Sequence, residues 1–78
     1  MSKADRHVVH NPNGGWDVKK PNAVRVSVHA ETQAKAQTLA REIIHNQGGG
    51  ELITHGKDGQ IRAKDTIDPG NDPRTSKG

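Results

Sequence analysis

The stretch from Val24 to Asn46, VRVSVHAETQAKAQTLAREIIHN, changes its hydrophobic period part-way along and thereby decides the fold class. Apolar and polar residues alternate strictly from Val24 to His29, as in a β-strand with one buried face. From Gln33 to Asn46 the apolar residues instead recur at the spacing of an amphipathic helix, with Ile44 at the edge of a stripe formed by Ala36, Leu39, Ala40 and Ile43. A strand followed directly by a helix predicts an α+β domain.

Both ends of the predicted helix carry recognisable signals. Thr32 is a candidate N-cap, because its hydroxyl can accept a hydrogen bond from an early helical N–H. The glycines at 48–50 tolerate the left-handed backbone conformations that end helices. The same glycines could suggest a phosphate-binding loop, but such loops precede a helix N-terminus, whereas this one follows a C-terminus. Helix termination is therefore the preferred interpretation.

Two hairpins flank the strand and helix. His7–His10 and Trp16–Lys20 are short strand patterns joined by a turn-rich segment at residues 11–15. Glu51–His55 and Gln60–Lys64 form a second strand pair, whose connection contains Asp58-Gly59, a pair favoured in type I′ hairpin turns. From residue 66 onward no apolar periodicity remains.

The sequence thus predicts elements in the order β-β-β-α-β-β, forming a small antiparallel sheet with one helix packed on one face. We expect one domain over residues 1–65 and an irregular or flexible tail over residues 66–78. The strand register is left open in the first and fourth strands, since each contains two adjacent apolar residues. The predicted inward-facing set is Val8 or Val9, Trp16, Val18, Val24, Val26, Val28, Ala36, Leu39, Ala40, Ile43, Leu52 or Ile53, and Ile61.

Composition narrows the class of protein. Only 13 of the 78 residues are Leu, Ile, Val or Phe, a content low enough to be typical of disordered chains. Disorder also requires a high net charge, however, and 12 basic against 9 acidic residues give only +3. The composition therefore favours a small folded domain. The absence of cysteine excludes disulfides, thiolate metal sites and cysteine nucleophiles. No apolar run has the length of a membrane span or of a signal-peptide core, so we expect a soluble, cytoplasmic protein.

Several blocks of sequence, in order, resemble a family of small bacterial proteins known as the domain-of-unknown-function family numbered two-one-eight-eight. The blocks are Asn13-Gly14-Gly15-Trp16-Asp17-Val18, Thr32-Gln33-Ala34-x-Ala36, Ala40-Arg41-Glu42-Ile43, Gly48-Gly49-Gly50-Glu51-Leu52 and His55-Gly56-Lys57-Asp58-Gly59-Gln60-Ile61-Arg62. The resemblance covers most of the chain. It implies a bacterial or phage-like source and no known activity, because the family is uncharacterised.

Neither a metal site nor a catalytic centre is predicted, and no cofactor is expected. His7 and His10 are the most closely spaced histidines, but an offset of three on a strand places their rings on opposite faces. Ser27 and His29 share a strand face, as the nucleophile and base of a catalytic site would. No third residue that would orient the histidine can be identified from the sequence, however. Trp16 could stack on a nucleic-acid base, but its shared face with Val18 favours a role in the core.

Basic residues recur at the outward-facing positions of the predicted strands. These are Lys19, Arg25, His29, Arg62 and Lys64, with Lys20 beside them, so a sheet covered by one helix would present a basic open face. We therefore expect a non-enzymatic binding module that makes weak, sequence-independent contacts with nucleic acid or another polyanion through these six residues. The alternative is a protein–protein adaptor or structural protein, either monomeric or homodimeric, whose charges serve solubility alone.

Overall fold

The computed structural model describes residues 4–69 and contains six regular elements. Three strands, β1 (Arg6–His10), β2 (Trp16–Lys19) and β3 (Val26–Ala30), precede the helix α1 (Gln33–Asn46), and β4 (Gly50–His55) and β5 (Ile61–Ile67) follow it. The predicted α+β class and the order of the elements are confirmed. Within residues 4–69, α1 is the longest helix, and it has neither the length nor the apolar character needed to cross a membrane.

The five strands form a single mixed sheet in the order β3-β2-β1-β4-β5. Three of the pairings are antiparallel, as expected, but β1 and β4 pair in parallel, with His7 opposite Ile53. The reason lies in the path of the chain. The first three strands form a meander, and α1 then carries the chain back across the sheet to the end at which β1 begins. The next strand, β4, consequently runs in the same direction as β1.

The helix has the bounds that its sequence pattern predicts, Gln33–Asn46. Thr32 is the N-cap: its Oγ1 accepts a hydrogen bond of 3.1 Å from the backbone N of Lys35. At the other end Gly48 has φ 102°, and the N of Gly49 donates to the carbonyl of Ile44 at 2.8 Å. Such a left-handed residue after the last turn satisfies carbonyls that the helix itself leaves unpaired.

The residues of α1 that are fully buried are Ala36, Ala40 and Ile44. Ile44, expected at the edge of the apolar stripe, is in fact at its centre, while Ile43 and Leu39 are only partly buried. The two alanines explain this arrangement. Their small side chains let the helix lie close to the sheet, so the line of residues four apart faces it directly, with Ile44 filling the remaining space.

The core selects one register in each of the two undecided strands. Val8 and Leu52 are fully buried beneath α1, whereas Val9 and Ile53 point to the opposite face of the sheet. Trp16 and Val18 are also buried, as predicted. The core also contains three residues that the sequence pattern did not predict, Ala4, Ala30 and Ile67.

Three residues expected in the core are exposed. Val24, at 92% exposure, lies in a bend before β3, and Val26 (39%) is the first residue of that edge strand. Ile61, at 58% exposure, starts the other edge strand, β5. Both Val26 and Ile61 lie next to a register shift of their edge strand, Val26 opposite Lys19 and Ile61 opposite His55, so they fall outside the regular alternation that α1 covers.

The second hairpin and the end of the domain also differ from the prediction. The N of Gly59 donates to the carbonyl of Gly56 at 3.0 Å, and Gly59 has φ 87° while Asp58 has a negative φ. A type I′ turn needs positive φ at both central residues, so this loop is not of that type. Strand β5 continues to Ile67, two residues into the expected tail, and residues 70–78 of that tail lie outside the described residues.

Candidate functional site

One face of the sheet is covered by α1, and no element of residues 4–69 covers the other. Because side chains alternate along a strand, the residues that flank each buried position point away from the helix. We call this surface the open face. Its members are His7 and Val9 of β1, Asp17 and Lys19 of β2, Ser27 and His29 of β3, Glu51, Ile53 and His55 of β4, and Lys64 and Thr66 of β5.

Two lysines of the open face lie in one row across the sheet. Lys19 pairs with His7, His7 with Ile53, and Ile53 with Lys64. Three strand spacings therefore separate the two lysines, about 14 Å at roughly 4.8 Å each. Arg62, two residues earlier in β5, is next to a register shift of this strand, where its side chain lies beside Gly56 and borders the cavity at Trp16. The topology thus brings into one row two lysines that are 45 positions apart in the sequence.

The other three residues of the predicted basic set have different settings. Lys20 and Arg25 are exposed but belong to the β2–β3 loop rather than to a strand, which corrects the expectation that Arg25 lies in an alternating strand. His29 is on the open face, where its Nδ1 is 2.7 Å from Oδ1 of Asp17. His29 therefore forms part of an internal hydrogen-bonded group and is not a free cationic residue.

The carboxylates on and beside the open face are tied to groups of the protein. Asp17 is 8% exposed and also accepts a hydrogen bond of 3.1 Å from Nδ2 of Asn11. Oδ1 of Asp5 accepts from the backbone N of Glu51 at 2.8 Å, and Oε2 of Glu51 accepts from Oγ1 of Thr66 at 2.9 Å. These acidic groups are buried or half-buried, so the solvent-facing positions are left to the cations.

Apart from His29, the predicted basic residues have no acidic partner among residues 4–69. Within residues 4–69 the ion pairs are His29 with Asp17 and Arg41 with Asp65. Neither includes any of the five remaining predicted cations, which are Lys19, Lys20, Arg25, Arg62 and Lys64. Their charges are consequently available to an external anion.

A pair of histidines that the sequence did not suggest lies at the centre of the open face. Nδ1 of His7 is 2.8 Å from Nε2 of His55, with the rings inclined by 25°. Burial lowers the pKa of His7, the neighbouring His55 lowers it further, and Asp5 acts in the opposite direction. No short sequence pattern could reveal this pair, because it depends on the parallel pairing of β1 with β4.

Neither of the two histidine arrangements considered from sequence is joined by a hydrogen bond within residues 4–69. His10 lies on the opposite face from His7, as predicted, where its ring meets the edge of Trp16. Asp17 supplies an orienting carboxylate for His29, but no hydrogen bond joins His29 to Ser27 in the part of the chain that the structure describes. Residues 4–69 contain no group of three or more His, Asp or Glu side chains arranged to hold a metal ion.

The Asp17–His29 pair instead links the first hairpin to β3. The ring of His29 lies over Gly15, where a Cβ atom would be 2.6 Å from Cε1 and Nε2 of the ring. Gly15 also has φ 79°, which favours glycine. Asn11, Gly15, Asp17 and His29 therefore form one packed unit across three elements.

Trp16 lies on the helix side of the sheet, on the face opposite Lys19 and Lys64. It borders a cavity of about 570 Å³ that the second hairpin completes with Gly56, Lys57, Asp58, Gln60, Ile61 and Arg62. With only 9% of its surface exposed, the indole is a core residue. It supplies no stacking platform on the open face.

Comparison with known proteins identifies the family. No curated protein and no solved structure matches the chain. The family model described as an uncharacterised protein conserved in bacteria, DUF2188, matches residues 6–67. That range runs from the first residue of β1 to the last residue of β5, so it spans the whole sheet and the helix. The chain therefore belongs to this bacterial family, as the resemblance of its sequence blocks predicted.

Proposed function

We propose that this protein is a non-enzymatic module that binds nucleic acid through the open face and the adjoining β2–β3 loop, by contacts with phosphates. One observation carries the proposal. The acidic side chains of this surface are buried or hydrogen-bonded within the fold, whereas five cationic side chains have no carboxylate partner among residues 4–69. Such a surface attracts a polyanion and can neutralise several phosphates at once.

The chemistry of the open face favours binding that does not depend on base sequence. Sequence-specific recognition of single-stranded RNA holds splayed-out bases on aromatic side chains while their edges are read by hydrogen bonds, and Trp16 lies on the other face of the sheet. Lysine ammonium groups are flexible point charges that contact phosphate without reading base edges. We therefore expect similar affinities for unrelated sequences.

The dependence of affinity on salt concentration tests this proposal. If about four of the five cations neutralise phosphates of duplex DNA, log K plotted against log salt has a slope near −0.9 per contact, about −3.6 in all. The double variant R25Q/K64Q should reduce the magnitude of this slope by roughly two. The double variant K35Q/R41Q removes the same charge from exposed positions of α1 and should leave the slope unchanged.

Two results would contradict the proposal. One is equal loss of slope in both double variants, which would show a general charge effect without a defined surface. The other is the absence of binding to duplex and single-stranded nucleic acid at about 50 mM salt and tens of micromolar protein, since non-specific binders reach about 10⁻⁴ to 10⁻⁶ M even at physiological salt.

A second candidate function is that of a homodimeric structural protein. The edge strand β3 begins at the exposed Val26, and the exposed Val24 lies just before it. On its outer side, the backbone of β3 has no neighbouring strand within residues 4–69. An edge strand of this kind can pair with a second copy of itself. Antiparallel pairing about Val28 would align all five residues of β3 and bring Arg25 close to Glu31 of the second copy, two opposite charges.

Light scattering over a concentration series tests the homodimer. We expect the mass to rise to twice that of the monomer at high micromolar concentration, and V26K to prevent this rise by placing a charge at the paired edge. I61K is the matched control, because Ile61 is an exposed apolar residue on the opposite edge strand. A monomer mass at high concentration would exclude the homodimer.

A further inference from the structure

A cleft on the open face combines the histidine pair with two lysines. Its floor is formed by β1 and β2, and its wall is the β2–β3 loop, which turns at residues 20–23 with a 3.1 Å hydrogen bond from the N of Ala23 to the carbonyl of Lys20. Asn22 in this turn has φ 61°. The cleft has a volume of about 320 Å³ and is lined by His7, Val9, Lys19, Lys20, Pro21, Asn22, Ala23 and His55.

The hydrogen bonds around the two histidines determine which ring nitrogen is free. Nδ1 of His55 is 3.1 Å from the carbonyl oxygen of Gly59, which can only accept, so this nitrogen carries a proton. In the neutral pair, Nε2 of His55 then accepts from Nδ1–H of His7. Nε2 of His7 is left with a lone pair, and it becomes a donor when the pair gains one proton.

The charges around His7 favour an anion in the cleft. The charged and titratable groups around His7 come from several elements. Asp5 precedes β1, Lys19 is on β2 and Lys20 is in the β2–β3 loop. His55 is on β4, and Lys64 is in the same row of the sheet on β5. The helix packs on the other face of the sheet. No carboxylate of residues 4–69 lines the cleft. Asp5 accepts from the backbone N of Glu51, and Asp17, which is opposite Val9 in the sheet, is hydrogen-bonded to His29.

We propose that this cleft is a phosphate-binding site of the nucleic-acid surface, in which Lys19 and Lys20 neutralise the phosphate and His7 donates a hydrogen bond to it through Nε2. This inference rests on the proposed function and assigns one phosphodiester of the bound strand to a defined place. It also makes binding dependent on pH. A neutral imidazole pair must take up a proton to donate from Nε2, so affinity increases as the pH falls.

The first test locates the ligand by NMR. An oligothymidylate of about ten nucleotides and, separately, inorganic phosphate are titrated into the wild-type protein at about pH 6 and low salt. We expect both ligands to shift the ring signals of His7 and His55 and the amide signals of residues 20–23. The ring signals of His45, on the far side of α1, should not move.

The second test measures the affinity for the oligothymidylate at about pH 7.5 and about pH 5.5, where phosphodiesters keep their charge. Uptake of one proton allows an increase of at most about tenfold per pH unit. His7→Gln should abolish most of this increase, and Lys19→Gln should weaken binding at both pH values. His45→Gln should retain the wild-type pH dependence, because it removes a histidine outside the cleft.

The outcomes separate this inference from the proposed function. Oligonucleotide binding that shifts only Arg62 and Lys64, with no change between the two pH values, would overturn the cleft site and leave the proposed function standing. Shifts of His7 and His55 with inorganic phosphate, without any binding of oligonucleotide, would support the site as an anion site and overturn the proposed function. Absence of shifts in the cleft with either ligand would overturn the inference.

Discussion

At the scale of single residues, the face on which a side chain lies determines what it can do. Trp16 and Asp17 are neighbours in β2, yet the indole packs in the core under α1 and the carboxylate points to the open face. Asp17 is nevertheless buried, because Asn11 and His29 close over it. A residue type therefore gives only a range of roles, and its neighbours across the sheet select among them.

Replacement of Trp16 tests its assignment to the core. Trp16→Ala should destabilise the protein by about 3 to 5 kcal/mol, because a large buried ring is lost and the space it leaves is only partly refilled. In a domain of this size such a loss can abolish folding. Urea denaturation followed by circular dichroism measures the change.

Val24→Ala is the matched control for the tryptophan variant. Val24 is 92% exposed, so its truncation should change the free energy of unfolding by less than about 0.5 kcal/mol. If Trp16→Ala unfolds at the wild-type urea concentration, Trp16 is not a core residue. If Val24→Ala is strongly destabilising, the bend before β3 is packed in solution.

At the scale of elements, α1 shows how local signals and packing combine. Its bounds follow from the N-cap at Thr32 and from the glycines that end it, both of which are local features. The side that it buries is decided by contact with the sheet, which selects the line of Ala36, Ala40 and Ile44. The local sequence determines the burial of strand residues less well. The pattern of β3 is regular, but the strand lies at an edge of the sheet, where its valines are exposed to different degrees.

Loss of the helix cap gives a prediction for this element. Thr32→Ala should destabilise the protein by about 1 kcal/mol, because the backbone N of Lys35 loses its acceptor. The control is Thr38→Ala: the hydroxyl of Thr38 bonds the carbonyl of Ala34 within the helix, and alanine has the higher helix propensity. We expect Thr38→Ala to be neutral or slightly stabilising, and equal destabilisation by both variants would contradict the capping role.

At the scale of the whole molecule, the parallel pairing of β1 with β4 joins the two halves of the chain. The meander of β1, β2 and β3 forms one half of the sheet, and the hairpin of β4 and β5 forms the other. This pairing also creates the candidate site, because His7 meets His55 and Lys19 shares a row with Lys64 only across it. The helix covers the joint from the opposite face.

Amide hydrogen exchange should show this organisation. The amides of β1 and β4, which have a strand on each side, should exchange most slowly, at rates near those of global unfolding. In β3 and β5 only one side is paired, so we expect alternate amides to exchange quickly in dilute protein. Uniform protection along β3 at low concentration would contradict an open edge, and protection that increases with concentration would indicate the homodimer.

The sequence by itself determined the order of the elements, the bounds of the helix, its cap and the family of the chain. These features depend on residues close together in the sequence, as in the change of period between His29 and Gln33, and local chemistry is sufficient to specify them. The same reasoning predicted Trp16 and Val18 as core residues, and it placed Lys19 and Lys64 on one outward surface. It also placed Arg62 there, whereas a register shift in β5 brings that side chain beside Gly56 and Trp16.

Only the tertiary structure decided which strands are neighbours. The register of β1 and β4, the exposure of Val24 and Ile61, and the contact between His7 and His55 all follow from that arrangement. Each of these depends on contacts between residues far apart in the chain. Whether an apolar residue is buried depends on which part of the sheet α1 covers, and two histidines become partners only when their strands pair. The physical reason is that the free energy of strand pairing comes from contacts between segments that are distant in the sequence, so the pattern of any one segment cannot specify it.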